Sequence, residues 1–252
     1  MRWTERQRAM LGAMGITLWA PTGPEAAAAA SASTVAEPPA RPRAAAPQRP
    51  PATSGTVSVD PDIATLDWAA LRERVAACRA CRLCESRTQT VFGVGHPQAH
   101  CMIVGEAPGE NEDLQGEPFV GAAGQLLDRM LPAIGLTRGQ ASAAQQVYIA
   151  NTLKCRPPRN RNPEPDELAR CSAYLQRQIE LVQPRVLLAM GRFAVQTLLD
   201  SSEPIGRLRG RVHRWRDVPV VVTYHPAYLL RNPADKARAW ADLCLAAAQL
   251  ST

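Results

Sequence analysis

The run CRACRLCESR, Cys78 to Arg87, places three cysteines at C-x2-C-x2-C spacing with arginines between them. Thiolates packed this closely suit a soft metal, either a zinc ion or an iron–sulfur cluster, since both accept four sulfur ligands. Spacing alone does not choose between the two, nor between Cys78/Cys81 and Cys81/Cys84 as the ligand pair. The chain has seven cysteines, an odd number that cannot all pair with one another. A second set of chemistry-bearing residues stands at the ends of short apolar runs. Gly105-Glu106 follows CMIVG, Asn151 closes VYIAN, and Tyr224-His225 closes VPVVVTY. An Asn amide carries a donor and an acceptor side by side, as the edge of a nucleobase does. His225 closes a buried strand just before a proline, an unusual place for a merely structural histidine.

These residues are positioned by an alternating pattern. Four apolar runs, Cys101 to Gly105, Val147 to Asn151, Arg185 to Gly191 and Val218 to Pro226, are each followed by a helical pattern: GQLLDRMLPAIG, PDELARCSAYLQRQIELV, FAVQTLLD and ADKARAWADLCLAAAQL. Continuous apolar strands alternating with helices predict an α/β fold, a three-layer αβα sandwich around a central four-stranded parallel sheet. In such sheets ligands bind outside the carboxyl ends of the strands, where Glu106, Asn151 and His225 stand. A further helix is expected over DWAALRERVAAC, capped by Asp67. Cys101, within a strand, and Cys244, in the last helix, read as buried apolar fillers.

The loops carry their own signals. GEAPGENEDLQGEPFVG holds a dense acidic set (Glu106, Glu110, Glu112, Asp113), but has neither the GK[ST] of a P-loop nor a G-x-G-x-x-G. Phe119, one of three phenylalanines, sits between Pro118 and a glycine-rich turn, where an aromatic ring can stack on a flat base. Arg156, Arg159 and Arg161 form a basic loop stiffened by Pro157 and Pro158, suited to a phosphate backbone. Leu229, Leu230 and Arg231 follow His225; apolar side chains beside a basic one resemble wedges that enter a duplex.

The net charge of +6 favours a polyanionic partner. Residues 1–20 contain a short amphipathic piece, RQRAMLGAMGITLW, expected to fray or to dock a partner protein. Residues 21–59, rich in Ala, Pro, Ser and Thr, are expected to be a disordered linker, leaving 60–252 as the globular domain. No apolar run reaches the length of a membrane span and no export signal is evident, so a cytoplasmic monomer with reduced thiols is expected.

GEAPGENED, EPFVG, NTLKCRPPRN and TYHPAYLLR, in this order on an α/β pattern, resemble the family 4 uracil-DNA glycosylases, from about Trp68 to the C-terminus. The resemblance implies hydrolysis of the N-glycosidic bond of uracil in single- or double-stranded DNA, initiating base excision repair. It implies a [4Fe–4S] cluster held by Cys78, Cys81, Cys155 and Cys171, which leaves Cys84 surplus. Catalytic roles are expected for Glu106, Asn160 and His225. Substrate contacts are expected from Gly105, Ala107, Glu112, Phe119, Asn151 and His225, and DNA contacts from Arg156, Arg159, Arg161, Leu229, Leu230 and Arg231. GEAPG departs from the GQDPYH motif of family 1 enzymes: Ala107 replaces the water-orienting Asp, and Gly109 replaces the tyrosine that excludes thymine. Those tasks pass to Glu106, Glu112 and Asn160 as candidates. The long basic insert of the covalently trapping relatives, with its reactive histidine, is missing after Lys154, so turnover is expected. Two rivals are a non-catalytic iron–sulfur DNA-binding or polymerase accessory protein on the same fold, and a zinc-stabilised hydrolase of small nucleotides.

Overall fold

The computed structural model describes Met10, Gly12, Ala13 and residues 62–251. The linker expected over 21–59 and nearly all of the amphipathic segment over 1–20 lie outside the described residues. Met10 packs against the main hydrophobic core.

Four strands form the centre of the sheet: β2 (Cys101–Gly105), β3 (Tyr148–Asn151), β4 (Val186–Met190) and β6 (Val218–Thr223). They are mutually parallel, as their continuous apolar composition predicts. The sheet is wider than the expected four strands, however. Two short strands, β1 (Val94–Gly95) and β5 (Val212–Trp215), pair antiparallel at the edges, giving six strands in the order β1-β3-β2-β4-β6-β5. Pattern reading missed both for physical reasons. β1 is two residues long, and β5 alternates exposed and half-buried positions with an arginine in it, which blunts an open sheet edge.

Side chains of successive strand residues point to opposite faces. Ile103, Ile149, Leu188 and Val221 pack on one face beneath α4 (Ala122–Met130), α8 (Pro226–Arg231) and α9 (Lys236–Leu250). Met102, Val104, Ala150, Leu187, Ala189, Val220 and Val222 pack on the other beneath α5 (Pro165–Val182) and α6 (Arg192–Leu199). Cys101 is buried as expected, but Cys244 is exposed; it lies on the outer side of α9, next to the fully buried Leu243.

A smaller layer leans on α5. The helix α1 (Trp68–Ala76) starts where the Asp67 carboxylate accepts the Ala70 N–H at 2.8 Å. Its buried Leu71 and Val75 pack with Ala173 and Tyr174 of α5. The cysteine run follows, ending in the one-turn helix α2 (Leu83–Ser86). The helix α5 itself begins with Pro165 and a capping box, in which Glu167 accepts the Glu164 N–H at 2.8 Å.

Candidate active site and cysteine cavity

Most of the expected site residues meet at the carboxyl ends of the central strands. Glu106, Ala107, Glu112, Phe119, Asn151, Asn160, Arg161 and His225 all line one open cavity of about 190 Å³, together with Pro108, Gly109 and Pro157. Gly105 lies under its floor. A Cβ there would sit 2.7 Å from the Phe119 ring and 2.4 Å from Asn151 Oδ1, so any side chain would push the wall and the floor apart. The third central strand contributes no polar group because it ends in Gly191. That glycine adopts φ +89°, and a Cβ would come within 3.2 Å of the His225 Cβ; the bare backbone lets His225 lie across the strand end.

Asn151 is 2 % exposed, and its Oδ1 has no hydrogen-bond partner among the described residues. A buried, unpartnered amide oxygen is costly unless a ligand supplies an N–H. His225 stacks on Phe119 with ring centroids 5.3 Å apart and planes 24° from parallel. The Ala227 N–H donates to His225 Nδ1 at 3.2 Å, which makes Nδ1 the acceptor and leaves the proton of the neutral ring on Nε2. Burial, with the charge of Arg231 adding to it and that of Glu112 opposing it, lowers the His225 pKa to about 4. The ring is therefore neutral near pH 7 and donates through Nε2.

The acidic residues divide by their partners. Glu112 accepts three backbone N–H groups, from Gly109 at 3.0 Å, Val120 at 2.9 Å and Gly121 at 3.1 Å. It pins the loop that holds Phe119 in a left-handed conformation (φ 58°), strained for an aromatic residue. Glu106 has its backbone carbonyl taken by Leu153 and Thr152, while its carboxylate faces the cavity. Burial raises the Glu106 carboxyl above the ordinary carboxylate range, and the charge of Arg192 partly offsets this. Asn160, with φ 54°, accepts from Arg156 Nε at 2.8 Å. Arg192, at the end of the strand whose pattern offered no polar residue, escaped the sequence reading.

The expected DNA contacts fall into two groups. Arg159, Leu230 and Arg231 are exposed. Arg156 is held by Asn160 and by Glu110 at 3.6 Å, and Arg161 is paired with Glu167 at 2.6 and 3.0 Å. Leu229 must be corrected: it is wholly buried in the core, whereas its neighbour Leu230 is 45 % exposed, because a one-residue step on a helix turns the side chain about 100°.

The cysteines form a separate centre. Among the described residues no three His, Cys, Asp or Glu side chains are close enough for one metal ion. Even so, Cys78, Cys81, Cys84, Cys155 and Cys171 line one small cavity between α1, α2, the segment after β3, and α5. Two of the five sulfurs accept hydrogen bonds: Arg87 Nη1 reaches Cys155 at 2.8 Å and the Lys154 N–H reaches Cys171 at 3.4 Å. Arg87 also donates to the Cys78 carbonyl at 2.7 Å, tying the cysteine run to the segment after β3. Nothing but its place at the end of the run marked Arg87 in the sequence.

The profile of the uracil DNA glycosylase superfamily matches residues 92–246. A type-4 uracil-DNA glycosylase of Archaeoglobus fulgidus is 47% identical over 167 residues, covering 63% of this chain and 81% of the relative. Its counterpart in Thermotoga maritima is 43% identical over 168 residues, 66% of this chain and 84% of the relative. The one in Pyrobaculum aerophilum is 39% identical over 188 residues, 71% and 93%. The chain belongs to the uracil-DNA glycosylase superfamily, and within it to the type-4 family.

Proposed function

We propose that the cavity at the strand ends holds a uracil flipped out of DNA and that its residues divide recognition and bond cleavage among them. The chain is a uracil-DNA glycosylase, a hydrolase of N-glycosyl bonds that opens base excision repair. The observation that carries the assignment of roles is the buried, unpartnered Oδ1 of Asn151. Uracil presents an N3–H donor beside the O4 acceptor; the Asn151 amide offers the complementary pair. Cytosine has an acceptor at N3, so its entry would leave Oδ1 unpaired and facing a lone pair.

Extrusion of the base costs a few kcal/mol of stacking and pairing. Leu230, exposed on α8, fills the gap, with Arg231 and Arg159 on flanking phosphates. Phe119 stacks on the ring. As the glycosidic bond lengthens, negative charge gathers on uracil O2. The neutral His225 donates Nε2–H to it, and the donor is already in place before charge develops. The sugar passes through an oxocarbenium-like state. Glu106, ionised, accepts a proton from the attacking water, while Asn160 orients that water across the cavity. Glu112, already committed to three N–H groups, acts by positioning Phe119.

We further propose that Cys78, Cys81, Cys155 and Cys171 hold a [4Fe–4S] cluster, the fit resting on the shared cavity and the hydrogen-bonded sulfurs of Cys155 and Cys171. Such a cluster would brace the segment after β3 against α1 and α5 without touching substrate. A reducing, cytoplasmic setting suits it.

The test is incubation with a uracil-containing oligonucleotide followed by alkali. Strand cleavage at the uracil, abolished in Asn151→Ala, is expected. Binding of that strand without cleavage would overturn the proposed mechanism.

A further inference from the structure

We propose that Cys84 is a reserve ligand, a fifth thiol able to take over the metal corner held by Cys81. The proposal rests on the cluster assignment above and goes beyond it. Cys84 lines the same cavity as the other four cysteines. Hydrogen bonds from Arg87 to Cys155 and from the Lys154 N–H to Cys171 mark those two as resident ligands, since such bonds stabilise metal-bound thiolates, and Cys84 receives none among the described residues. Cys84 is joined to Cys81 rather than to Cys155 or Cys171. The Cys84 N–H donates to the Cys81 carbonyl at 3.2 Å, so one turn of chain sets the two side by side. Only these two cysteines also line the broad outer groove, beside Arg79, Arg82, Glu85 and Arg170. They therefore share the solvent-facing corner, while Cys78, Cys155 and Cys171 close the inner side.

The spacing agrees. In the C-x2-C-x2-C run all three thiols are within reach of one cluster in other iron–sulfur proteins. The exchange needs no redox partner. One metal–sulfur bond to Cys81 breaks and one to Cys84 forms; the proton shed by Cys84 passes to the departing sulfur or to water, and no electron is transferred.

The experiment compares the full chain with Cys84→Ser, Cys81→Ser and the double variant, purified without oxygen, by iron and sulfide content and visible absorbance. Cys84→Ser and Cys81→Ser are expected to keep the cluster and the double variant to lose it. Loss in Cys81→Ser equal to that in the double variant overturns the reserve role alone. Loss in Cys84→Ser makes Cys84 a resident ligand and overturns it as well. A native chain with neither iron nor sulfide sinks the cluster assignment first and this proposal with it.

A second readout starts from the native protein, whose result stands whether or not the variants fold. Brief iodoacetamide treatment of the native protein, mapped by mass, should label Cys84 and spare Cys81. In Cys81→Ser, labelling of Cys84 should fall to the level of Cys78. Native Cys84 as protected as Cys78 contradicts the proposal.

Discussion

The strand-end pocket and the cysteine cavity lie on either side of one strand end, and they are built in opposite ways. The pocket is floored by backbone: Gly105 and Asn151 are register partners in the sheet, and the Gly191 N–H donates to the Thr223 carbonyl at 3.0 Å. The cysteine cavity is framed by side chains from four segments, most of them outside the sheet. A site held by ladder bonds keeps its shape when empty. One held by thiols depends on what the thiols bind. Substitutions in the first should therefore change chemistry and leave stability nearly intact; substitutions in the second should do the reverse.

The largest effect is expected from Asn151→Ala. It should lower kcat/KM on uracil-containing DNA by about a thousandfold or more, because the proposed reading residue vanishes and leaves the uracil edge unpaired. DNA affinity and melting temperature should barely move; a matching loss of affinity would return Asn151 to a structural role. His225→Ala should cost about 10²–10³-fold in kcat, the usual toll of removing one donor to a developing anion. Cys155→Ser should break the symmetry of the comparison, with a clear drop in melting temperature and in bound iron and only a modest fall in the rate per folded molecule. If the rate collapses while stability holds, the two regions are not separable in this way.

The pH profile sharpens the contrast inside the pocket. In the proposed mechanism the working form of His225 is neutral, and its pKa is lowered to about 4, so its contribution should be complete above that value and fail as pH falls through it. Glu106 is proposed to work ionised, and its pKa is raised, so its contribution should be lost earlier, as pH falls through a value above the ordinary glutamate range. The acid limb of the native rate should then report Glu106. In Glu106→Gln that limb should disappear and leave a low rate that is flat until near pH 4. An unchanged limb would hand the water to another group. The smallest effect is expected from Leu230→Ala: about a tenfold slower excision from duplex DNA and an unchanged rate on single strands, where there is no stack to fill.

Much of this was legible in the residues. The central strands follow from runs of consecutive apolar residues, and their carboxyl ends point to Glu106, Asn151 and His225 without any three-dimensional information. What the pattern could not convey was partnership. Glu106 and Glu112 look alike in a loop of carboxylates, yet one faces the cavity and the other is consumed by three N–H groups. Leu229 and Leu230 look interchangeable, but helix rotation buries one and exposes the other. The edge strands were too short or too polar to stand out. Arg87 and Arg192 carried no signal, because their importance lies in which distant group each faces.

Asn151 and Cys155 stand four positions apart on a single strap, NTLKC. The buried Lys154 amine cross-links it, donating to the Asn151 carbonyl at 2.7 Å and to Gln178 at 2.6 Å, and the next residue is a cysteine of the cavity. The cross-link lies between the two ends and holds the Asn151 end to α5. Oxidative damage to the thiols would thus cost the molecule its footing first, with Asn151 still clamped by Lys154.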